Sequence, residues 1–351
     1  MAEIYKNFTE EDVVPSDIQV ISQPIWSENM NPYSQSFGGA TGIGFFTQSA
    51  QISQSGEYYV NVYHRNPQTD ANAAVQFAIA YGHRLGSGSY GDPNTVGQNQ
   101  NDTPTRAIYS QYRNQLLPPT DTAFTFGNTT PNEILVINVA RARFRQKIDP
   151  GNWELRIASG GLGNPNAYSS FIDNSGEEVT PTLTEAGRIF GIYSGSGAVT
   201  ASNTVYGLFY PDQGVFVFNA TALATDLGLP FNSQSAGTLS GAGVQPKNSV
   251  TASMYISAST YFAARSQEQV SSTHYFVRIT NRQFNFSNNP TFVTGSTGTF
   301  RHASMLRNPS VYVTTVGMYD PNNRLVAVAK LSKPLLKSFN REALIKVKLD
   351  Y

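Results

Sequence analysis

The chain has 351 residues, enough to bury a large core, yet only 14% are charged, and twenty-four Lys and Arg balance twenty-four Asp and Glu. A net charge of zero argues against a nucleic-acid binder and suits a surface covered by neighbours, and the absence of cysteine excludes disulfides and thiolate metal ligands. No run approaches the roughly eighteen apolar residues of a membrane helix, and Met1-Ala-Glu-Ile-Tyr-Lys6 does not resemble a secretory leader, so cytoplasmic synthesis is expected.

Residues 1–55 are punctuated by Pro15, Pro24 and Pro32 around short apolar pieces, and predict an extended N-terminal arm laid on this subunit or another, with Ile25 and Trp26 as interface anchors. An ordinary edge strand is the competing reading. Residues 56–165 form the next region. Tyr58–Tyr63 and Ala74–Tyr81 predict an antiparallel hairpin, and a helix follows: Thr103 caps it, Pro104 opens it, Ile108, Tyr112 and Leu116 recur at helical spacing, and Pro118-Pro119 ends it. Glu133–Val139 and Trp153–Ile157 read as a second hairpin closed by Asp149-Pro-Gly-Asn152. Its first strand is expected to continue through Arg141, Arg143 and Arg145, three arginines on one face.

In region 166–250, Arg188–Tyr193, Val205–Tyr210 and Val215–Phe218 predict strands, the last two a hairpin. Asn219–Leu227 predicts a short helix, stopped by Gly228 and Pro230. Residues 231–250 read as a polar loop. Region 251–351 returns to strands at Ser253–Ser257, Thr273–Ile279 and Arg282–Phe286. The last forty residues supply three more: Val311–Tyr319 and Leu325–Leu331 flank the turn residues Asp320-Pro-Asn-Asn, Ser332-Lys-Pro334 breaks the chain, and Ile345, Val347 and Leu349 alternate with Lys346, Lys348 and Asp350. The fold class expected is mainly β, with antiparallel sandwich or barrel-like sheets, two short helices and extended arms.

Val311–Gly317, Leu325–Pro334 and Ala343–Tyr351 resemble the C-termini of virion structural proteins of contractile-tailed bacteriophages, including phages of marine cyanobacteria. Weaker echoes lie at Tyr275–Arg282, Asn285–Pro290 and Ala80–Ser89. The resemblance covers about a third of the chain and brings no catalytic signature. It implies a location in the virion, in the baseplate or else the neck or tail, with other virion subunits and copies of the chain in a symmetric ring as partners.

Chemistry-bearing patterns are sparse. His64, His83, His274 and His302 are too far apart in sequence for a metal motif, and Tyr81-Gly-His-Arg-Leu-Gly-Ser-Gly lacks the lysine of a phosphate loop. No paired-carboxylate or nucleophile-elbow pattern stands out. No catalytic residue, cofactor, metal, nucleic-acid, membrane or small-molecule partner is therefore predicted, and the chain reads as non-enzymatic. The candidate interface residues are Ile25, Trp26, Arg141, Arg143, Arg145, Arg341, Lys346 and Lys348. A carbohydrate-binding adhesin or tail-spike-like module and a capsid decoration protein remain the alternatives.

Overall fold

The computed structural model describes residues 5–15, 18–26, 46–48, 58–88, 104–162, 167–177, 181–197, 199–231, 247–259, 261–294 and 297–350. Strand β1 (Val13–Pro15) is followed by β2 (Gln19–Pro24), β3 (Phe46–Thr47), β4 (Tyr59–Tyr63), β5 (Val75–His83), helix α1 (Pro104–Leu116), β6 (Glu133–Val139), β7 (Lys147–Ala158) and β8 (Tyr168–Asp173). Next come β9 (Thr182–Thr184), β10 (Gly187–Ser196), β11 (Val199–Thr200), β12 (Gly207–Tyr210), β13 (Val215–Asn219), α2 (Ala220–Leu227), α3 (Asn248–Ser259) and β14 (Phe262–Val270). The C-terminal part adds β15 (Ser272–Ile279), β16 (Val293–Thr294), β17 (Thr299–Phe300), α4 (Ser304–Arg307), β18 (Ser310–Tyr319), β19 (Leu325–Ser338) and β20 (Ala343–Asp350). The fold is mainly β and antiparallel, as expected, with four α-helices among the described residues rather than two.

The chain forms two compact units, one from residues 21–268 and one from residues 1–20 with 269–351. In the first, eleven strands run in the order β2-β14-β7-β8-β10-β12-β13-β6-β5-β4-β3, with β9 and β11 added on β10. Regions 56–165 and 166–250 thus share one curled sheet. Its central strands β6 and β13 are apolar on successive residues because both of their faces are covered. On β6, Leu135, Ile137 and Val139 point into an aromatic core with Trp153, Phe209, Phe216 and Phe262, together with Leu223 of α2 and Ile256 of α3. Ile134 and Val136 point the other way, against Tyr109, Tyr112 and Leu116 of α1. Trp153 and Phe209 lie 4.6–5.4 Å from the neighbouring rings of Phe216 and each other. Such pairs add about 0.5–1.5 kcal/mol each beyond burial.

The β4–β5 and β12–β13 hairpins and helix α1 match the sequence reading. So does α2, where the Asn219 side chain accepts from Ala222 N at 3.1 Å and Gly228 closes the helix at φ +73°. Thr103 and most of the expected N-terminal arm lie outside the described residues.

Four local readings are corrected. Ser253–Ser257 lies in α3, whose nine buried residues, five of them polar, leave it covered on nearly every side and without an amphipathic period. Arg282–Phe286 is a turn rather than a strand. The Asp149–Asn152 segment does not join β6 to β7, because β6 pairs with β5 and β13, and β7 with β8 and β14. It is a bulge inside β7, opposite the register shift at Ala264/Ser266, and Gly151 N donates to the buried Asp173 carboxylate at 2.8 Å. Likewise Pro334 does not end its strand: β19 runs to Ser338 through a shift opposite Val313/Thr315.

In the second unit, β1, β15 and β20 form a three-stranded sheet, and β18 and β19 form a separate two-stranded sheet. Val277, Ile279, Ala343, Ile345 and Val347 of the first pack against Val313, Val316, Met318, Ala329 and Leu331 of the second. This is a small sandwich with one two-stranded layer.

Helix α1 crosses β5 at Gly82, where an added Cβ would lie 2.9 Å from Tyr109 N. Gly82→Ala is expected to cost about 1–3 kcal/mol through overpacking; an unchanged denaturant midpoint would contradict the close approach. Deleting residues 342–351 removes β20, which pairs with β15 from Ser272 to Ile279. Limited proteolysis of the truncated chain should then digest the unit containing residues 269–341 while residues 21–268 resist, and equal resistance of both would sink this expectation.

Candidate functional site

The β18–β19 hairpin is pinned at its tip by Asp320. Its carboxylate accepts from Arg324 N at 2.8 Å, Asn322 N at 2.9 Å and Arg324 Nε at 2.9 Å, and Asn323 takes φ +61°. The Arg324 backbone bond, aided by its side chain and Asn322, holds the Asp320 carboxyl below its ordinary range. Alternation then divides the hairpin into two faces. Val316, Met318 and Ala329 face the sandwich core, whereas Tyr312, Val326 and Val328 are 66%, 67% and 58% exposed. Among the described residues no third strand pairs with either arm. The hairpin therefore presents outward apolar side chains, Tyr312 towards one end and Val326 and Val328 towards the tip with the exposed Thr315–Lys330 pair between them, beside unpaired backbone edges that monomers ordinarily protect.

The outer face of the β15–β20 pair is of another kind. Register places Lys346 across from Phe276, Lys348 across from His274, and Leu344 across from Arg278. Lys346 lies over the Phe276 ring at 5.7 Å, Lys348 pairs with Asp350 at 3.0 Å and donates to Gln19 Oε1 at 3.0 Å, and Arg278 pairs with Glu342 at 3.1 Å. Arg341 is exposed in the preceding turn. The alternation that predicted one solvent face of β20 holds, and this sheet brings Lys346 and Lys348 together.

A groove of about 840 Å³ opens in the same unit, between residues 5–8 and the inner edge of the hairpin. Tyr5, Phe8 and Tyr319 line it with Asn7, Asp320 and Asn323, and the Tyr5 and Tyr319 rings lie 5.3 Å apart.

The other predicted interface residues do not form a surface. Ile25 and Trp26 follow the edge strand β2 and sit in the core of residues 21–268, with Trp26 4.9 Å from Phe262. They are held by their own unit, which corrects their reading as anchors for a partner. The arginine stripe is also corrected: β6 ends at Val139, and Arg141–Arg143 is a 3-10 turn, whose three-residue period sends alternate side chains in different directions. Arg141 lies 4.7 Å from the Phe144 ring, the buried Nε of Arg143 has no hydrogen-bond partner among the described residues, and Arg145 pairs with Glu268 at 2.7 Å.

Residue types alone concealed two polar clusters. Tyr81 donates to Glu133 at 2.5 Å, Thr221 reaches the other Glu133 oxygen at 2.8 Å, and burial together with this carboxylate pushes the Tyr81 phenol well above its ordinary range. These residues come from β5, β6 and α2, and no local spacing links them. The other cluster surrounds the buried Lys337. No group of three or more His, Cys, Asp or Glu side chains suited to a metal occurs among the described residues, and no described helix is long and apolar enough to cross a membrane.

No family model, curated protein or solved structure matches the chain.

Because their side chains contribute little burial, replacing Tyr312, Val326 and Val328 with Thr, which keeps β-branching, should shift stability by no more than about 0.5 kcal/mol per site. A loss of several kcal/mol in chemical unfolding would show that this face is structural.

Proposed function

We propose that the protein is a non-enzymatic structural subunit of a contractile-tailed phage virion, placed in the baseplate or else the neck or tail. Its role is to dock against copies of itself and other virion subunits. The observation that carries this reading is the outward apolar face of the β18–β19 hairpin with its unpaired edges, a geometry suited to sheet extension by a neighbouring chain. The resemblance through Val311–Gly317, Leu325–Pro334 and Ala343–Tyr351 falls on that hairpin and on β20.

Charge segregation supports contact between copies. The unit of residues 1–20 and 269–351 carries twelve Lys and Arg against eight Asp and Glu, whereas residues 21–268 carry twelve against sixteen. Opposite net charges on two parts of one chain favour head-to-tail contacts, which close into rings when the rotation permits.

The Tyr5–Tyr319 groove supports a second reading, a carbohydrate-binding module, since aromatic rings beside Asn and Asp side chains can stack on and hydrogen-bond a sugar.

Immunogold labelling of purified virions with antibody against this chain should mark the tail tip, or the collar if the subunit belongs to the neck. The Tyr312→Thr, Val326→Thr, Val328→Thr variant should fold and lose incorporation. Absence of label from every particle would overturn the virion reading. Saturable saccharide binding abolished by Tyr319→Ala would put the carbohydrate reading first.

A further inference from the structure

Lys337, near the end of β19, has no exposed surface. Its Nζ donates to the side-chain oxygen of Asn285 at 2.8 Å and to the carbonyl oxygens of Asn281 at 3.1 Å and Ser338 at 3.2 Å. All three acceptors are neutral, and a buried ammonium without a carboxylate in contact is strongly disfavoured. Burial lowers the pKa of Lys337, and the charge of Glu342 offsets this only in part. A lysine so placed is shifted towards the neutral amine, the nucleophilic form.

Asn285 is itself only 7% exposed, and its Nδ2 donates to Asn281 O at 2.7 Å. One carbonyl oxygen thus accepts from both the lysine nitrogen and the amide nitrogen. The preceding residue, Phe284, has φ +52°, a left-handed conformation that costs a non-glycine residue about 1–3 kcal/mol. The strained turn sets the direction in which Asn285 leaves the backbone, and water is excluded from the pair it forms.

We propose that Lys337 and Asn285 are the partners of an intramolecular isopeptide bond. Nζ of the neutral amine attacks Cγ of the carboxamide. The Nζ–Cγ bond forms as the Cγ–Nδ2 bond breaks, one Nζ proton passes to Nδ2, and Nδ2 leaves as ammonia. The product is a secondary amide, and because the step is an acyl transfer with no change in oxidation state, it requires no oxidant or reductant. The bond joins positions 52 residues apart and ties the turn after β15 to β19. In a chain without cysteine it supplies the covalent restraint that disulfides give other small β units, by limiting the unfolded ensemble.

The test is the intact mass of the denatured full-length protein, followed by peptide mapping. The expected mass is that of the sequence less one ammonia. Trypsin should leave the bond after Lys337 uncut and release a branched species joining Gln283–Arg301 to Leu331–Arg341. The unmodified sequence mass with a free Ser338–Arg341 peptide would overturn the proposal. Loss of ammonia without the branched peptide, as from cyclisation of another asparagine, would overturn it equally. Asn285→Ala should restore the full mass expected for that variant, and persistence of the deficit would also contradict the assignment.

Discussion

Satisfying the backbone of a β-strand is the constraint on which this molecule depends. Every strand must place its N–H and C=O groups in a ladder and its alternate side chains on opposite faces. Within residues 21–268 the inner strands meet the demand by pairing on both sides in a long antiparallel sheet, which ends at β2 and the two-residue β3 and has apolar cover on both faces of its centre. In the C-terminal unit one layer has only two strands, so the inner face of the hairpin is buried while its outer face and edges stay unpartnered among the described residues. The proposed docking role follows from that imbalance.

Elements defined by local signals were legible in the sequence. Pro104 and the Ile108, Tyr112, Leu116 spacing mark α1, Asn219 and Gly228 bracket α2, and Asp320 with Asn323 closes the last hairpin. Readings failed where tertiary context overrode a local cue. Pro150-Gly151 has the residues of a hairpin turn, yet the flanking strands pair elsewhere and the segment becomes a bulge. Arg141, Arg143 and Arg145 alternate like a strand but follow its end. Helix α3 is buried on nearly every side, which removes the amphipathic period by which a helix is recognised.

The candidate surfaces were legible in part. Alternation on β20 places Lys346 and Lys348 on a common solvent face. The exposed row on β19 could not be read, because Leu325-Val-Ala-Val-Ala is apolar at successive positions and nothing local says which set is covered. Lys337 was equally hidden: in the sequence it is one lysine in a basic tail, and only packing places it beside Asn285. The neutral total charge also concealed the basic excess of residues 269–351, since acidic residues elsewhere cancel it.

Docking through the outer face of the hairpin is most directly tested by hydrogen exchange of the protein free and within purified virions. Strong additional protection on assembly is expected at the β18 and β19 amides, around Tyr312 and Val326–Val328, with little change in the already buried β6 and β13. Hairpin amides that exchange at the same rate in both states would contradict that docking.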